Sequence, residues 1–578
     1  MYKGLGHFDA DHRLLYLRNI CIFTLSFLIA GLVYFQLVMA DEYVDLASRN
    51  RLRMIRLLSP RGNIYDAGGV PLAVNVRTFD IKGYPMDIRG DEDFARIAGL
   101  FSRHGIPLTP DGLRSGVEKQ YLAPYRAVSV ATNLTLAQVA DLVMDDEFPP
   151  TLFASPVWRR IYPAGPLVSH AIGYVGEITR EELEEQRDLY YQPGDIIGKG
   201  GVEAMYEEDL RGVVGDQVVE VDSRGRRLRD MRYNDPQKGN DITLTLNLAA
   251  QREAARLLDG RRGAIVAMDA DDGAVLVLYS SPTYDPNPLT WGISTKEWGA
   301  LTNNAGTPMM NRVISGTYPP GSTFKVVTAA ALLSEHVADE RTSVRCYGSF
   351  TLGTQVFRCW RRSGHGTERM LGALRDSCDV YFYQLSTSLG IDKLVKWGQE
   401  FGVGERTGID LPGEARGNIA GREWKLDRLK ESWYQGDTVN YSIGQGFLLM
   451  TPLQLTRVFA AFANGGKLLT PRLNAEKPVE YREVALDRAH MELINRGIRE
   501  VVTRGTGRIA GTFGVEVAGK TGTAQNPHGE DHAWYVGYSP VDRPKYVVTV
   551  LVEGGGGGSS TAGPLLGQML AFLVTHGK

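Results

Sequence analysis

Three polar clusters in the second half of the chain carry residue types able to do chemistry: Ser322-Thr323-Phe324-Lys325, Ser377-Cys378-Asp379 and Lys520-Thr521-Gly522. A hydroxyl is a weak nucleophile until a neighbour takes its proton. A lysine can do this once burial and a second cation lower its pKa from about 10.4 towards about 7 to 8. Ser322 and Lys325 are spaced i, i+3, so on a helix they share a face, and Lys520 would be the second cation. In this order the clusters point to acyl transfer through a serine nucleophile. Singly each is weak. Ser322 also reads as an N-cap followed by a solvated lysine, and the third cluster as an edge strand with a glycine bulge.

The flanking sequence supplies the elements that must hold these residues. Tyr318-Pro319-Pro320-Gly321 cannot continue a helix whereas residues 324–333 can, which predicts Ser322 at a helix N-terminus. Residues 515–525 read as a strand whose small residues leave room for another backbone, so an extended peptide could add to its edge. Lys520 and Thr521 would bind a carboxylate there, with Gly522 and Thr523 completing the substrate-binding run. The backbone N–H groups of Ser322 and Thr523 would form an oxyanion hole. Residues 263–269 and 274–278 around Asp271-Asp272-Gly273 read as a hairpin, and 533–538 and 546–552 as further strands. Helical pattern, including 452–462, lies between these groups. The prediction is an α+β domain with an antiparallel sheet flanked by helices, the run Gly554 to Gly558 being a flexible connection to a last apolar helix.

A chain of 578 residues exceeds one core and predicts two or more domains. The net charge of −3 gives no argument for a nucleic-acid partner. Residues 20–40 hold no charge and as a helix would span about 31 Å, against about 30 Å of hydrocarbon. This predicts a transmembrane anchor at 20–40 behind a cytoplasmic tail at 1–19. The alternative is a signal peptide cleaved after Val38-Met39-Ala40, although such apolar regions are shorter. Residues 41–240 read as a separate elongated module without repeats, and 241–578 as the catalytic domain.

Taken together, the three clusters resemble those of the penicillin-binding protein and serine β-lactamase superfamily. Pro60-Arg61-Gly62-Asn63-Ile64-Tyr65-Asp66, Leu72-Ala73-Val74-Asn75 and Gly200-Gly201-Val202-Glu203 are similar to the pedestal segments of class B penicillin-binding proteins. Ser377-Cys378-Asp379 stands where most of the superfamily has Ser-x-Asn. With Trp433-Tyr434-Gln435-Gly436-Asp437-Thr438 and Ser442-Ile443-Gly444-Gln445-Gly446, it resembles the elongation-type branch. The resemblance implies a peptidoglycan D,D-transpeptidase inhibited covalently by β-lactams. Ser322 would attack the penultimate D-alanine of a stem peptide, Lys325 would take its proton and Ser377 would pass a proton to the leaving amine. Asp379 and Lys520 complete the catalytic set. Asp379 alters substrate contact, because an ionised carboxylate only accepts while an amide also donates.

No organic cofactor is implied. The implied partners are stem peptides, a SEDS-type membrane glycosyltransferase, other elongation-complex proteins and the cytoplasmic (inner) membrane, with the catalytic domain periplasmic. Charge alone argues the other orientation: Lys3, Arg13 and Arg18 precede the span while Arg49, Arg51, Arg53, Arg56 and Arg61 follow it. The resemblance outweighs that count, since long domains translocate largely regardless of charge. Rival classes using the same clusters are a D,D-carboxypeptidase or β-lactamase, and a non-enzymatic β-lactam sensor or scaffold.

Cys346, Cys359, His365 and Cys378 form a Cys-x12-Cys-x5-His-x12-Cys spacing, a ligand set that structural Zn2+ accepts. A Cys346–Cys359 disulfide in an oxidising compartment and a simply buried Cys378 are the alternatives. The resemblance favours zinc. The family ligand corresponding to Cys378 comes about one turn earlier, where this chain has Leu374, and a position four residues on shares a helix face. Such a metal would be structural, pinning the segment that leads to Ser377.

Overall fold

The computed structural model describes residues 7–43, 52–88, 90–121, 127–185, 191–221, 227–527 and 529–577. Arg49 and Arg51, counted above for orientation, lie outside the described residues, as do residues 1–6 of the expected tail. The apolar segment forms a helix from His7 to Val33, continued by a short π-helical turn, Tyr34–Val38. Within the 27-residue stretch His12–Val38 an 18-residue window reaches a mean hydropathy of 2.2 with none of it buried, as a candidate membrane span should be. The helix starts well before residue 20 because its polar first turns also tolerate helical geometry.

The chain divides into two compact units. The first comprises residues 1–60, 78–157 and 213–238, and the second 61–77, 158–212 and 239–578. Within the first, the strands Leu52–Leu57, Gly215–Val221 and Arg227–Asn234 form an antiparallel sheet in that order. The helix Gly90–Arg103 buries Phe94, Ile97, Ala98, Leu100 and Phe101, one apolar stripe at helical spacing, into a separate small core. The stretch 41–240 is therefore shared between both units.

Residues 61–77 and 158–212 enter the second unit through a buried ionic network. Arg61 Nε donates to Glu203 Oε2 (2.6 Å), and its Nη2 to Glu207 Oε2 (2.6 Å). Arg160 Nε donates to Glu203 Oε1 (2.7 Å) and its Nη1 to the Gly62 carbonyl (2.6 Å). Glu203 is fully buried, yet its carboxyl is held below the ordinary range: burial works against ionisation, and the two guanidiniums outweigh it. At Gly62 a Cβ would lie 1.8 Å from the Asn240 carbonyl oxygen, so no side chain fits there. The motif residues of these segments act in turns and packing.

The second unit is built on a five-stranded antiparallel sheet in the order Val275–Ser281, Gly263–Asp269, Tyr546–Val552, His532–Ser539, Ala518–Ala524. The strand Gly263–Asp269 is buried at every position because both faces are covered. Ile265 and Ala267 pack with the helices Leu248–Leu258 and Gly563–His576. Ala264, Val266 and Met268 face a larger core with the helices Lys325–Ser334 and Pro452–Ala463. The strand carrying Lys520 closes the sheet as its free edge. The glycine run, expected as a flexible connection, is instead packed. Gly556 N donates to the Asp531 carbonyl (2.8 Å) and Gly558 N to Thr523 Oγ1 (3.3 Å), and at Gly558 a Cβ would lie 2.2 Å from the Gly522 carbonyl oxygen, so no side chain fits there.

Candidate active site

Ser322 lies on a 3-10 turn, Gly321–Phe324, that leads into the helix Lys325–Ser334. This is the helix N-terminus expected from the sequence, with its first turn wound in 3-10 form. In 3-10 geometry residues i and i+3 lie on one side of the turn, which favours Ser322 and the following Lys325 sharing a side. Several contacts fix the turn. Trp534 Nε1 donates to the Pro319 carbonyl (3.1 Å), Gly321 N to that of Gly444 (2.9 Å), and Tyr318 Oη to Glu553 Oε1 (2.7 Å). At Gly522, on the facing strand, a Cβ would lie 2.9 Å from both the Pro320 carbonyl oxygen and Thr323 Cγ2. The glycine of the third cluster is thus what lets the sheet edge approach the nucleophile turn.

Lys325 is completely buried, and its amine is fully engaged on the far side of the turn. Nζ donates to Asp379 Oδ1 (2.6 Å), to the Ser377 carbonyl (2.9 Å) and to Ser377 Oγ (3.2 Å). Lys520, also fully buried, donates from Nζ to Ser377 Oγ (2.9 Å) and to the Thr521 carbonyl (3.2 Å). Ser377 Oγ therefore sits between two amines. The Ser322 hydroxyl makes no hydrogen bond among the described residues, leaving it free to meet an incoming carbonyl. Burial pushes the Lys520 amine well below the usual lysine range. Lys325 adds to this push and Asp379 partly offsets it.

Ser377 has φ of +53°, in the left-handed region, at a cost on the order of 1–3 kcal/mol that the surrounding contacts must offset. It falls in a turn between the helix Met370–Arg375 and the helix Asp379–Leu389, whose N-cap is Cys378. Leu374 and Cys378 consequently do not share one helix face, contrary to the expectation. Asp379 opens its helix, where the macrodipole favours a carboxylate, and its second oxygen accepts from Trp360 N (2.9 Å). Both Asp379 oxygens are thus occupied. Thr521 is buried, with its hydroxyl 3.2 Å from that of Thr506, whereas Thr523 is exposed at the mouth of the site.

The free edge presents backbone groups to the same space. Lys520 Nζ reaches the Thr521 carbonyl, and Gln445 Nε2 donates to the Thr523 carbonyl at 3.3 Å. Thr521 and Thr523 have the same parity on the strand, so both point their backbone groups away from the sheet. Sequence reasoning assigned no role to Gln445, Trp360 or Glu553. For Gln445 a signal existed, a polar residue flanked by Gly444 and Gly446.

Beside the site, Cys346, Cys359, His365 and Cys378 bring four ligand atoms within 4.8 Å of one another, a group that can hold a metal ion. All three of these cysteines are free, so the Cys346–Cys359 disulfide is not formed. His365 Nδ1 is 3.5 Å from Cys359 Sγ and 3.7 Å from Cys346 Sγ. A tetrahedral site with metal–ligand bonds of about 2.0 to 2.3 Å has edges of about 3.5 to 3.8 Å, which these distances match. The Cys378 thiol and the His365 imidazole favour a thiolate at Cys359.

Residues 263–571 match the family model of the penicillin-binding protein transpeptidase domain, and residues 56–244 that of the penicillin-binding protein dimerisation domain. The chain belongs to the penicillin-binding protein transpeptidase family. Within that family it is 34% identical over 608 residues to the peptidoglycan D,D-transpeptidase MrdA of Haemophilus influenzae, covering 98% of this chain and 93% of that one. It also resembles the penicillin-binding protein PBP2 of Helicobacter pylori, solved in complex with MreC. That match has 32% identity and a TM-score of 0.84, over 91% of this chain and 99% of that one. A chain from a peptidoglycan synthase complex that coordinates polymerization and crosslinking matches at 30% identity and a TM-score of 0.73, over 97% and 98%. The fold expected from the sequence, an apolar N-terminal helix, a pedestal and an α+β transpeptidase domain, is the one this family shares.

Proposed function

We propose that this protein is a serine-type peptidoglycan D,D-transpeptidase of cell elongation. The observation that carries the reading is that Lys325, Ser377 and Lys520 are hydrogen-bonded together where the free sheet edge approaches the Ser322 turn, in a chain similar along nearly its whole length to D,D-transpeptidases. The donor stem peptide adds to Ala518–Ala524, and its terminal carboxylate meets Lys520 and Thr521. Ser322 Oγ attacks the penultimate D-alanine carbonyl, and the backbone N–H groups of Ser322 and Thr523 hold the oxyanion. Lys325 takes the hydroxyl proton as a neutral amine, which keeps two of its three donated hydrogen bonds and turns its lone pair to Ser322 Oγ. Ser377, hydrogen-bonded to both amines, delivers a proton to the leaving D-alanine nitrogen, and the amine of a second stem peptide then takes up the acyl group. β-Lactams acylate the same serine.

Residues 1–19 would form the cytoplasmic tail, 20–40 the inner-membrane anchor, 41–240 the pedestal and 241–578 the periplasmic catalytic domain. The two family-model segments and the exposed apolar helix support this division. MreC-like elongation proteins and a SEDS-type glycosyltransferase are the partners, a reading supported by the relatives solved with MreC and in a synthase complex. The Cys/His group would hold a structural zinc ion, supported by its spacing. Cys359 precedes Trp360, and Cys378 precedes Asp379, so such an ion would tie together the two segments that meet at the Asp379 carboxylate.

Purified protein supplied with nascent glycan strands and their polymerase should give cross-linked muropeptides, and the Ser322→Ala variant none. Release of D-alanine without cross-links would instead favour a carboxypeptidase.

A further inference from the structure

A peptide strand laid along the free edge of Ala518–Ala524 offers N–H groups and carbonyls alternately, and both kinds need partners. The Thr523 carbonyl is an acceptor for one of its N–H groups. A donor for the neighbouring peptide carbonyl is harder to find. Both Asp379 oxygens already accept, one from Lys325 Nζ (2.6 Å) and the other from Trp360 N (2.9 Å), so this side chain supplies no donor. The amines of Lys325 and Lys520 are committed to Ser377, Asp379 and the Thr521 carbonyl.

Gln445 answers that need. Its backbone is fixed on both sides: Gln445 N donates to the Asn440 carbonyl (3.1 Å), and the preceding Gly444 carbonyl accepts from Gly321 N (2.9 Å). The side chain is half-buried, and its one hydrogen bond among the described residues is the 3.3 Å contact from Nε2 to the Thr523 carbonyl. One N–H of that amide and its oxygen remain available at the site itself.

We propose that Gln445 is a substrate-contact residue whose side-chain amide donates to a backbone carbonyl of the donor peptide. The proposal rests on the transpeptidase reading of the same site. In the free protein Gln445 occupies the Thr523 carbonyl. When the peptide arrives, its N–H takes that carbonyl, and the Gln445 amide turns to the peptide oxygen. The donor missing at position 379 is thereby supplied from the opposite element.

The test uses two penicillins with the full-length protein. Benzylpenicillin carries an acylamido side chain that stands in for the peptide bond, and 6-aminopenicillanic acid lacks it. Acylation of Ser322 is followed by intact-mass spectrometry. Gln445→Ala and the near-isosteric Gln445→Glu, which loses the donor, should each slow benzylpenicillin acylation about threefold to tenfold, as one amide hydrogen bond allows. Acylation by 6-aminopenicillanic acid should change by less than about twofold. Equal slowing with both probes would assign Gln445 to shaping the nucleophile turn and overturn the proposal. No effect, faster benzylpenicillin acylation, or full activity in Gln445→Glu would overturn it too. Wild-type protein that neither probe acylates at Ser322 would overturn the transpeptidase reading itself, a separate failure.

Discussion

Ser377 Oγ lies 3.2 Å from one buried lysine and 2.9 Å from another, and only the first, Lys325, has a carboxylate beside it. The asymmetry distinguishes two otherwise similar amines, and the proposed function gives them different tasks. Penicillin treatment followed by tryptic mass spectrometry should place the adduct on Ser322, and Lys325→Ala should slow its formation by at least roughly 10², the lower range for loss of a positioned base. An adduct elsewhere would refute the assignment. For Lys520 the prediction concerns pH. Burial and the neighbouring Lys325 lower its proton affinity, so rising pH strips its charge earlier than for an ordinary lysine. The charged form is the one that attracts a substrate carboxylate. Acylation by a carboxylate-bearing β-lactam should therefore fall on the alkaline side, and Lys520→Arg, which keeps its charge, should flatten that limb. An alkaline limb unchanged in Lys520→Arg would assign the titration to another group.

At the scale of elements, two clusters tie together segments far apart in the chain. Glu203 accepts from Arg61 and Arg160 with no exposure to solvent, so Glu203→Gln removes the carboxylate paired with buried Arg160 and leaves Arg61 with Glu207 alone. The expected cost is about 3–5 kcal/mol, read as a lower midpoint in denaturant unfolding. The sign of the pH dependence follows from the depressed native carboxyl. Its stabilisation is complete above the unfolded value, about 4.3, and is lost as pH falls through the native one. The Cys/His group is the second tie. Protein purified without chelator should contain one zinc per chain, lost in the Cys359→Ser, His365→Ala double variant. Its removal should lower thermal stability before it changes acylation. Metal-free wild-type protein with the same stability would end the zinc reading.

For the whole molecule, the helix His7–Val33 and the turn after it form the one candidate membrane span among the described residues. The proposed periplasmic orientation sets the bulk of the chain against the arginine count that follows the span. Protease added to spheroplasts should digest the large domain while a tag at Met1 stays protected. The reverse pattern would show that charge had decided the orientation.

The three polar clusters on which the proposed function rests stand out in the sequence because each is a short run of defined chemistry, framed by turn and strand signals that depend on near neighbours alone. The apolar span and the hairpin strand Gly263–Asp269 were legible for the same reason: length, hydropathy and flanking Asp-Gly are local properties. Tertiary structure alone decided how those pieces act on one another. It engaged the Lys325 amine with Asp379, placed Ser377 in a left-handed turn between two helices, and brought Gln445 to a carbonyl 78 residues away. It also joined residues 61–77 to the second unit through an ion pair spanning 142 residues. Contacts of that range depend on how helices and sheet pack in space, and the spacing of residues along the chain carries no record of it.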